Sequence, residues 1–273
     1  MLVDFHNHTT ASDGRMTPQE LMAAAHRNGL GLIAITDHDA LDGCRDITDP
    51  PGNLRVIPGI EFSVDDAFSE VHILGLGINI EDAQLAKTVR ILRSDRVRRI
   101  EKMVDKLNHL GYDLSVDDIF QNVQASQSAG RPHVAQAMVA KGYFPGVKAA
   151  FDKLLHHNGP AYVPHYKLSL SEAVGAIHTA GGVAIVAHPG LITSEASLNA
   201  ALASGIDGIE VFHPQHSLAQ ISRFSALARE KQWLVSGGSD FRAIPGRYPL
   251  KPGVFAIPAE CVKSLLERLA LLK

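Results

Sequence analysis

Short apolar runs alternate with polar, helix-forming stretches along most of this chain, and the alternation predicts an α/β fold. The first helix is predicted to begin at Thr17 and Pro18, with Glu20 completing a capping box, and to end at Gly29. Seven strands separated by helices favour a parallel, barrel-like sheet. The apolar runs place these strands at residues 2–5, 32–36, 55–60, 71–77, 183–187, 208–212 and 234–238.

Residues 83–163 interrupt this rhythm between predicted strands four and five. Apolar residues recur there at helical spacing, Ser115 and Pro132 mark further helix starts, and Gly142 marks a stop. We therefore expect a barrel domain at 1–82 and 164–273, with the intervening segment forming a helical insertion that caps the substrate. The apolar positions of the first insertion helix are Ile100, Met103, Leu107 and Leu110.

The same segment is dense in arginine, which bears on substrate charge. These side chains could draw an acidic substrate towards the protein. The alternative, which we favour, is a helix face that is simply solvated. The arginines of the first insertion helix are Arg90, Arg93, Arg96, Arg98 and Arg99.

The predicted strands carry side chains that bind metal ions, most of them at the strand ends. His6 and His8 follow the first strand two positions apart, so both face the same side and could hold one ion together. Buried strands that repeatedly run into His, Asp or Glu are typical of the catalytic mouth of an α/β barrel. The groups concerned are His6, His8, His38, Glu61, His72, His188 and Asp240.

Composition narrows the function classes further. The chain has 273 residues, of which 45% are hydrophobic and 20% are charged, as expected for an ordinary globular protein. Its net charge of −3 provides no general attraction to nucleic acid or to an anionic membrane, so we expect neither DNA nor a membrane as a partner. Two cysteines, no signal-like N-terminus and no membrane-spanning apolar run predict a cytoplasmic location. The oligomeric state stays open.

Neutral imidazoles and carboxylates suit zinc, manganese or iron, and the absence of cysteine from this set argues against a structural zinc site. Paired ions that share a carboxylate commonly hold a bridging hydroxide and stabilise both the attacking and the leaving oxygen in phosphoryl transfer. A hydrogen-bonded core histidine is the alternative for each position taken singly, most of all for His72 inside its strand. The candidates, enough for two ions, are His6, His8, Asp13, His38, Glu61, His72, His188 and Asp240.

These residues stand in motifs that resemble the PHP (polymerase and histidinol phosphatase) family of the amidohydrolase superfamily. The resemblance runs in order from end to end of the chain. It implies a distorted (βα)7 TIM-like barrel and a metal-dependent phosphoesterase activity. The motifs are HNHTTASDG at 6–14, ITDHD at 35–39, PGIE at 58–61, HILG at 72–75, AHPG at 187–190 and GSDF at 238–241.

The resemblance also implies the ligands of each ion, with Glu61 as the bridge between two ions. A third site of the family uses residues matching Asp13 and His38 together with a histidine that this chain replaces by Arg242. Arginine cannot ligate a metal. We therefore predict two divalent ions, with Mn²⁺ favoured over Zn²⁺ or Fe²⁺, and at most a weak third ion. The other ligands would be His6, His8 and Asp240 for the first ion and His72 and His188 for the second.

Arg242 suggests a catalytic role of its own. A planar guanidinium at the metal centre could bind a substrate phosphate and supply positive charge in the transition state. Asp13, His38 or His213 would then handle the proton of the leaving alkoxide. The alternative interpretation of Arg242 is a salt bridge to Asp13.

Three further stretches resemble a subgroup of the family that acts on nucleotide phosphates: GRPH at 130–133, PAYVP at 160–164 and GIEVFHP at 208–214. This resemblance implies removal of the 3′-phosphate from nucleoside 3′,5′-bisphosphates, such as adenosine 3′,5′-bisphosphate, to leave AMP. A 5′-to-3′ exoribonuclease acting on short 5′-phosphorylated RNA, a histidinol phosphatase and other small phosphomonoesterases are the alternatives. The candidate substrate contacts are Arg131, His133, Lys167, His216 and Tyr166.

Two other function classes fit part of the pattern. Hydrolysis of an amide or lactone would use the same metal centre, but it would leave the extra cations Arg242, Arg131 and Lys167 unexplained. A catalytically silent metal-binding domain would be expected to lose ligands from the shared pair. Here all six ligand positions of the first two ions are filled.

Overall fold

The structure is a computed structural model of the chain, and it describes residues 1–64, 70–121, 130–156, 158–164 and 166–270. The chain forms two compact units. The barrel unit comprises Met1–Val89 and Lys167–Lys273, and the helical unit comprises Arg90–Tyr166. The assignment of a substrate-capping role to the helical unit stays a prediction.

The barrel unit is built on one eight-stranded sheet, which contains the seven predicted strands and a short additional one. The strands are β1 (Leu2–Asp4), β2 (Leu30–Ile35), β3 (Arg55–Val64), β4 (Val71–Leu76), β5 (Val183–Val186), β6 (Gly208–Phe212), β7 (Leu234–Gly237) and β8 (Ile257–Pro258). Their order is β7-β6-β5-β4-β3-β2-β1-β8. The Phe5 N–H donates to the Gly237 carbonyl oxygen at 3.1 Å, and Asn7 pairs with Phe241. The sheet therefore curls until β1 and β7 meet, as expected for a barrel.

Two strands, β4 and the short β8, run against their neighbours, which corrects the expectation of a parallel barrel sheet. β4 is antiparallel to both β3 and β5, while the other neighbouring pairs from β1 to β7 are parallel. Ser63 near the end of β3 pairs with His72 near the start of β4. The first residues of β4 consequently lie at the same edge as the carboxyl ends of the parallel strands.

The first helix confirms the predicted capping signals. The Thr17 hydroxyl accepts the Glu20 N–H at 3.2 Å, and the Glu20 carboxylate accepts the Thr17 N–H at 2.8 Å. Gly29, with φ of 82°, takes the left-handed conformation that follows a helix end. The helices are α1 (Pro18–Arg27), α2 (Asp42–Arg45), α3 (Ala83–His109), α4 (Val116–Phe120), α5 (Arg131–Ala140), α6 (Val147–Ala150), α7 (Leu170–Thr179), α8 (Glu195–Leu202), α9 (Leu218–Lys231) and α10 (Lys263–Arg268). Among these described helices, none is both long and apolar enough to cross a membrane.

The helical unit has an apolar core of its own, to which α3, α4 and α5 contribute. Three of the four predicted α3 core positions are buried, but Leu110 is 48% exposed. The expectation for Leu110 is wrong because α3 ends at His109 and the next residue lies in a turn. Ser115 caps α4 as predicted. Helix α3 begins at Ala83 in the barrel unit and continues into the helical unit.

Two glycines of the barrel unit test the packing of the sheet. A Cβ atom at Gly208 in β6 would overlap the Leu234 carbonyl oxygen on the neighbouring strand. We expect Gly208→Ala to lower the free energy of unfolding by about 1–3 kcal/mol. A Cβ atom at Gly175 in α7 would meet no other atom, so Gly175→Ala should raise that free energy by about 0.5–1 kcal/mol. Urea denaturation measures both variants, and equal stabilities would contradict the packing of β6 against β7.

Candidate metal centre

A buried carboxylate, that of Glu61, lies at the centre of the predicted ligands. Its side chain is fully buried, and five imidazole rings surround it. Three ring nitrogens approach Oε2 and two approach Oε1. The contacts to Oε2 are His6 Nε2 (3.2 Å), His8 Nε2 (3.1 Å) and His38 Nδ1 (3.2 Å), and those to Oε1 are His72 Nδ1 (2.9 Å) and His188 Nε2 (3.1 Å).

The strand directions explain this convergence. β1, β2 and β5 each run within a few residues into an imidazole at their carboxyl ends, and these ends meet at one edge of the sheet. His72 is the second residue of β4, so in a parallel strand it would lie at the opposite edge. It reaches Glu61 because β4 is reversed. The reversed strand therefore places a histidine from inside a strand among residues that follow strands.

Asp240 follows β7 and completes the first predicted ligand set. Its Oδ1 lies 3.1 Å from His8 Nε2 and 3.5 Å from His6 Nε2. His6, His8, Glu61 and Asp240 each offer one ligand atom, and these atoms lie within 4.8 Å of one another. The structure thus brings together the four residues expected to hold the first ion.

The second predicted set meets at a single carboxylate oxygen, because His72 and His188 both contact Glu61 Oε1. Among the described residues, His188 belongs to no group of three or more potential ligands whose ligand atoms all lie within 4.8 Å of one another, although His188 Nε2 lies 3.1 Å from Glu61 Oε1. The other groups of this kind are His38, Glu61 and His72, and His8, Asp13 and His38.

Several atoms of the centre are buried without a hydrogen bond of normal geometry, and this fits a site for metal ions. Buried polar atoms in proteins are nearly always hydrogen-bonded. A set of imidazole nitrogens and a carboxylate oxygen that face one another is instead the donor set that zinc, manganese and iron take. The atoms are His6 Nε2, His8 Nε2, His38 Nδ1 and Glu61 Oε2.

The metal centre is buried and combines an anionic carboxylate with positively charged imidazoles. Burial opposes ionisation of Glu61, but the positive potential of His38, His6 and His72 outweighs it and holds the pKa of Glu61 well below its usual range. Burial likewise opposes the charging of His72, yet Glu61 raises the pKa of His72 to about 9. The centre therefore stabilises an anion surrounded by positive charge. A metal ion would supply that charge and release the imidazole protons, because ligating histidines must be neutral.

Arg242 is buried among the residues of the expected third site. Its Nε lies 2.8 Å from Asp13 Oδ2, its Nη1 donates to Asp240, and its Nη2 donates to His38 Nε2 at 2.8 Å. The salt bridge to Asp13 that was the alternative interpretation is therefore present. The guanidinium thus contacts both residues of the expected third site, and Asp13 and His38 also form with His8 a group whose ligand atoms lie within 4.8 Å of one another. The role of Arg242 towards a substrate phosphate stays a prediction.

Glu210, which the sequence reasoning did not single out, supports ligands of both predicted ions. Its Oε1 lies 3.1 Å from His6 Nδ1, and its Oε2 accepts the His188 N–H at 2.7 Å. His188 has a left-handed backbone with φ of 27°. This conformation costs about 1–3 kcal/mol of backbone strain, and it persists only where neighbouring groups hold the residue in place. The sequence did contain a signal for this role, because Glu210 stands in the middle of the apolar strand predicted at 208–212. A buried carboxylate in such a strand needs partners, and Glu210 is fully buried.

Two further buried carboxylates hold the backbone that carries the ligands. Asp4 accepts the His6 N–H at 3.1 Å and the Ser239 N–H at 2.9 Å, and burial raises the pKa of Asp4 to about 6. Asp37 accepts the Thr9 N–H at 2.7 Å and the Ser12 hydroxyl at 2.6 Å. These bonds tie together the loops that follow β1, β2 and β7.

His213 and His216 differ in how their ring nitrogens are used. His213 Nδ1 accepts the Gln215 N–H at 3.2 Å, so the neutral ring carries its proton on Nε2, which is buried without a hydrogen bond. Burial lowers the pKa of His213 to about 4, which favours the neutral ring. His216 Nδ1 lies 2.9 Å from the Val211 carbonyl oxygen, and its Nε2 accepts the Gly190 N–H at 3.1 Å. A substrate contact through His216 stays a prediction and would require one of these bonds to be exchanged.

The remaining candidate substrate contacts fall in different units. Lys167 belongs to the barrel unit and acts on Glu70, whose Oε1 lies 3.5 Å from His72 Nε2. The hydrogen bond from His72 lowers the pKa of Glu70 to about 2, and the charge of Lys167 adds to the effect. The next residue, Leu168, pairs with Val64 at the end of β3, so Lys167 lies at the edge of the sheet that carries the predicted ligands. Arg131, His133 and Tyr166 belong to the helical unit, and their contact with substrate stays a prediction.

Glu210 provides a test of this architecture. We expect Glu210→Gln to weaken metal binding by about 10–100-fold, because the amide cannot serve both as the acceptor for the His188 N–H and as the anionic partner of His6. Competition with a chelating dye measures the affinity. Glu195→Gln is the matched control, since Glu195 is exposed and contacts only Arg223 at the surface among its recorded ion pairs. Unchanged affinity in Glu210→Gln would contradict the support that Glu210 gives to the ligands.

Comparison with known proteins agrees with the geometry of the site. A 3′,5′-nucleoside bisphosphate phosphatase from Chromobacterium violaceum is 34% identical over 252 residues, which cover 89% of this chain and 88% of that protein. The 5′-3′ exoribonuclease Rnm of Escherichia coli K12 is 31% identical over 250 residues, which cover 88% of this chain and 85% of Rnm. A solved structure from Bifidobacterium adolescentis, described as a metal-dependent phosphoesterase, has a TM-score of 0.81 and 30% identity, and the match covers 97% of this chain and 96% of that one. The PHP domain family matches residues 4–155, and the chain belongs to this family.

Proposed function

We propose that this protein is a metal-dependent phosphoesterase that removes the 3′-phosphate from nucleoside 3′,5′-bisphosphates. The products from adenosine 3′,5′-bisphosphate would be AMP and inorganic phosphate. The observation that carries the proposal is the arrangement of five imidazoles and Asp240 around Glu61 in a chain that is similar, over most of its length, to a phosphatase of this specificity. Both cysteines recorded in the structure are free thiols, which suits the reducing cytoplasm where we place the reaction.

Two divalent ions would be held by the residues around Glu61. Metal ions in such a pair supply Lewis acidity towards phosphate oxygens and an activated water at neutral pH. We propose manganese as the resident metal, although nitrogen and oxygen ligands of this kind also accept zinc and iron. The ligands proposed are His6, His8, Glu61 and Asp240 for one ion and Glu61, His72 and His188 for the other.

The protein's own residues would do the remaining work. Arg242 places a fixed positive charge beside both ligand sets, where negative charge grows as the leaving oxygen departs. Among the residues expected to transfer the proton, Asp13 lies 2.8 Å from Arg242 Nε. Burial opposes its ionisation, but His8, His38 and Arg242 hold the pKa of its carboxyl well below the usual range, so Asp13 would act as an anion and not as the acid. His213 presents a buried Nε2–H that could donate a hydrogen bond to a phosphate oxygen. Lys167 adds a cation at the edge of the centre.

A second candidate is the 5′-to-3′ exoribonuclease reaction, which the similarity to Rnm favours. Both reactions break a 3′ ester in a molecule that carries a 5′-phosphate, so one metal centre could serve either. The net charge of −3 favours the small substrate, because proteins that track RNA usually present a basic groove.

The deciding experiment compares substrates with the manganese-loaded protein. We expect rapid phosphate release from adenosine 3′,5′-bisphosphate, no release from AMP and no mononucleotides from a short 5′-phosphorylated RNA. Glu61→Gln should abolish the activity, because the bridging carboxylate would lose its charge. Mononucleotides from RNA without phosphate release from the bisphosphate would transfer the assignment to the exoribonuclease.

Arg242 has its own test. We expect Arg242→His to bind one more metal ion per chain, since an imidazole would join Asp13 and His38, and to release phosphate at least about tenfold more slowly because a positioned charge is lost. Elemental analysis gives the metal content, and steady-state kinetics give the rate. Arg223→His is the control, because Arg223 lies on α9 and pairs with Glu195 at the surface, away from the predicted ligands. Unchanged turnover with no gain of metal would remove Arg242 from the mechanism.

A further inference from the structure

The Asp240 carboxylate is held by two arginines, one at each of its oxygens. Oδ1 lies 3.1 Å from His8 Nε2 and 3.5 Å from His6 Nε2, and Arg242 Nη1 donates to this same oxygen. Oδ2 accepts a hydrogen bond from Arg247 Nη2 at 2.8 Å. The oxygen that faces the other ligands of the first set is therefore separate from the oxygen that Arg247 holds.

The segment after β7 turns back on itself to make the contact with Arg247. Asp240 has φ of 51°, and Ala243 and Gly246 have φ of 55° and 78°. A left-handed conformation at a residue other than glycine costs about 1–3 kcal/mol and persists only where its surroundings hold it. These turns return the Arg247 guanidinium to a side chain seven positions earlier in the chain. The local backbone is thus shaped to bring residue 247 against residue 240.

The two arginines differ in their exposure to solvent and in their partners. The Arg242 side chain is 6% exposed, and its other nitrogens contact Asp13 and His38. The Arg247 side chain is 36% exposed, so it reaches the buried carboxylate from the solvent side. Substitution of Arg247 should therefore disturb the packing of the barrel core little.

Arg242 would compete with a metal ion for Asp240. Arginine and carboxylate groups favour a bidentate pair, in which two N–H groups of the guanidinium take both oxygens. With Oδ2 held by Arg247, the carboxylate cannot rotate freely to present both oxygens to Arg242. A carboxylate oxygen has two lone pairs, so Oδ1 can accept from Arg242 and still ligate an ion. The bond from Arg247 thereby keeps Asp240 available as a ligand.

We propose that Arg247 is a positioning residue, which fixes the rotation of the Asp240 carboxylate so that Oδ1 stays with His6 and His8 in the first ligand set. Residues that hold a metal ligand from behind commonly contribute a factor of about 10–100 to metal affinity. The inference rests on the metal centre of the proposed function and is independent of the identity of the substrate.

Metal binding tests the proposal without any substrate. We expect Arg247→Met to weaken binding of manganese at the first ligand set by about tenfold in competition with a chelating dye. Arg247→Lys should stay close to the parental affinity, because one N–H donor is enough to hold Oδ2. Arg223→Met is the matched control, since Arg223 Nη2 lies 2.9 Å from one carboxylate oxygen of Glu195 at the surface.

Two outcomes of this measurement would overturn the proposal. One is an unchanged or higher affinity in Arg247→Met, because simple repulsion between the guanidinium and the ion predicts tighter binding when the charge is removed. The other is a lysine variant that binds manganese no better than the methionine variant.

Cobalt-loaded protein shows whether the coordination itself changes. The visible absorption of bound Co²⁺ depends on the number and arrangement of its ligands. We expect Arg247→Met to change this spectrum and Arg247→Lys to keep the parental one, with metal-free melting temperatures close to that of the parent. A lower melting temperature combined with the parental spectrum in Arg247→Met would assign Arg247 a merely structural role and overturn the proposal.

Kinetics separate the role of Arg247 from the proposed reaction. We expect Arg247→Met to need about tenfold more manganese than the parent to reach half of its maximal rate of phosphate release. The expected order of metal affinities in a protein that releases no phosphate from adenosine 3′,5′-bisphosphate would refute the proposed function but not the role of Arg247. Phosphate release with equal metal affinity in all variants would refute the role of Arg247 alone.

Discussion

The burial of the Glu61 carboxylate is the constraint on which the rest of the centre depends. A carboxylate with no exposed surface loses its hydration, which costs several kcal/mol unless positive charge and hydrogen bonds replace the water. The protein meets this requirement with five imidazoles: two follow β1, one follows β2, one lies within β4 and one follows β5. Each of these side chains must therefore be fixed in position, since the displacement of any one would leave the charge less compensated. This requirement favours a rigid barrel mouth over a mobile loop.

The fold supplies that rigidity through a second row of buried acids. Asp4 joins the segment after β1 to the segment after β7, and Asp37 joins the segment after β2 to the loop after β1. Glu210 contacts the His6 ring and accepts the His188 N–H. A buried carboxylate that joins two backbone segments cannot be removed without leaving their N–H groups unsatisfied. The ligands are thus held by the same groups that close the loops of the barrel. Stability and metal-binding geometry depend on one network, which explains the concentration of buried charge at a single edge of the sheet.

Arg242 gives the centre a charge that does not depend on metal supply. It contacts Asp240 and also Asp13 and His38, the two residues that were expected to hold a third metal ion. A guanidinium stays protonated at any physiological pH and presents its donors in one plane. A metal ion at this place could exchange with solvent and could activate water, whereas arginine can only bind and neutralise. We therefore expect the chemistry of this corner to be restricted to charge stabilisation.

The sequence alone was sufficient to predict the strand-rich barrel, the caps of α1 and α4, and the candidate ligands, because strand ends in His, Asp or Glu and capping residues are local patterns. The choice of Glu61 as the carboxylate shared by two ions came from the resemblance to the PHP family. From the resemblance, the sequence also predicted that Arg242 departs from the ligand pattern of the family. Local patterns carry no information on strand direction, so the reversal of β4 and the resulting position of His72 required the tertiary structure. The partners of Glu210 were hidden for the same reason, since these contacts join residues that are distant in the chain. Leu110 fails as a core residue because the helix ends one residue before it, and only the fold of the following turn decides that.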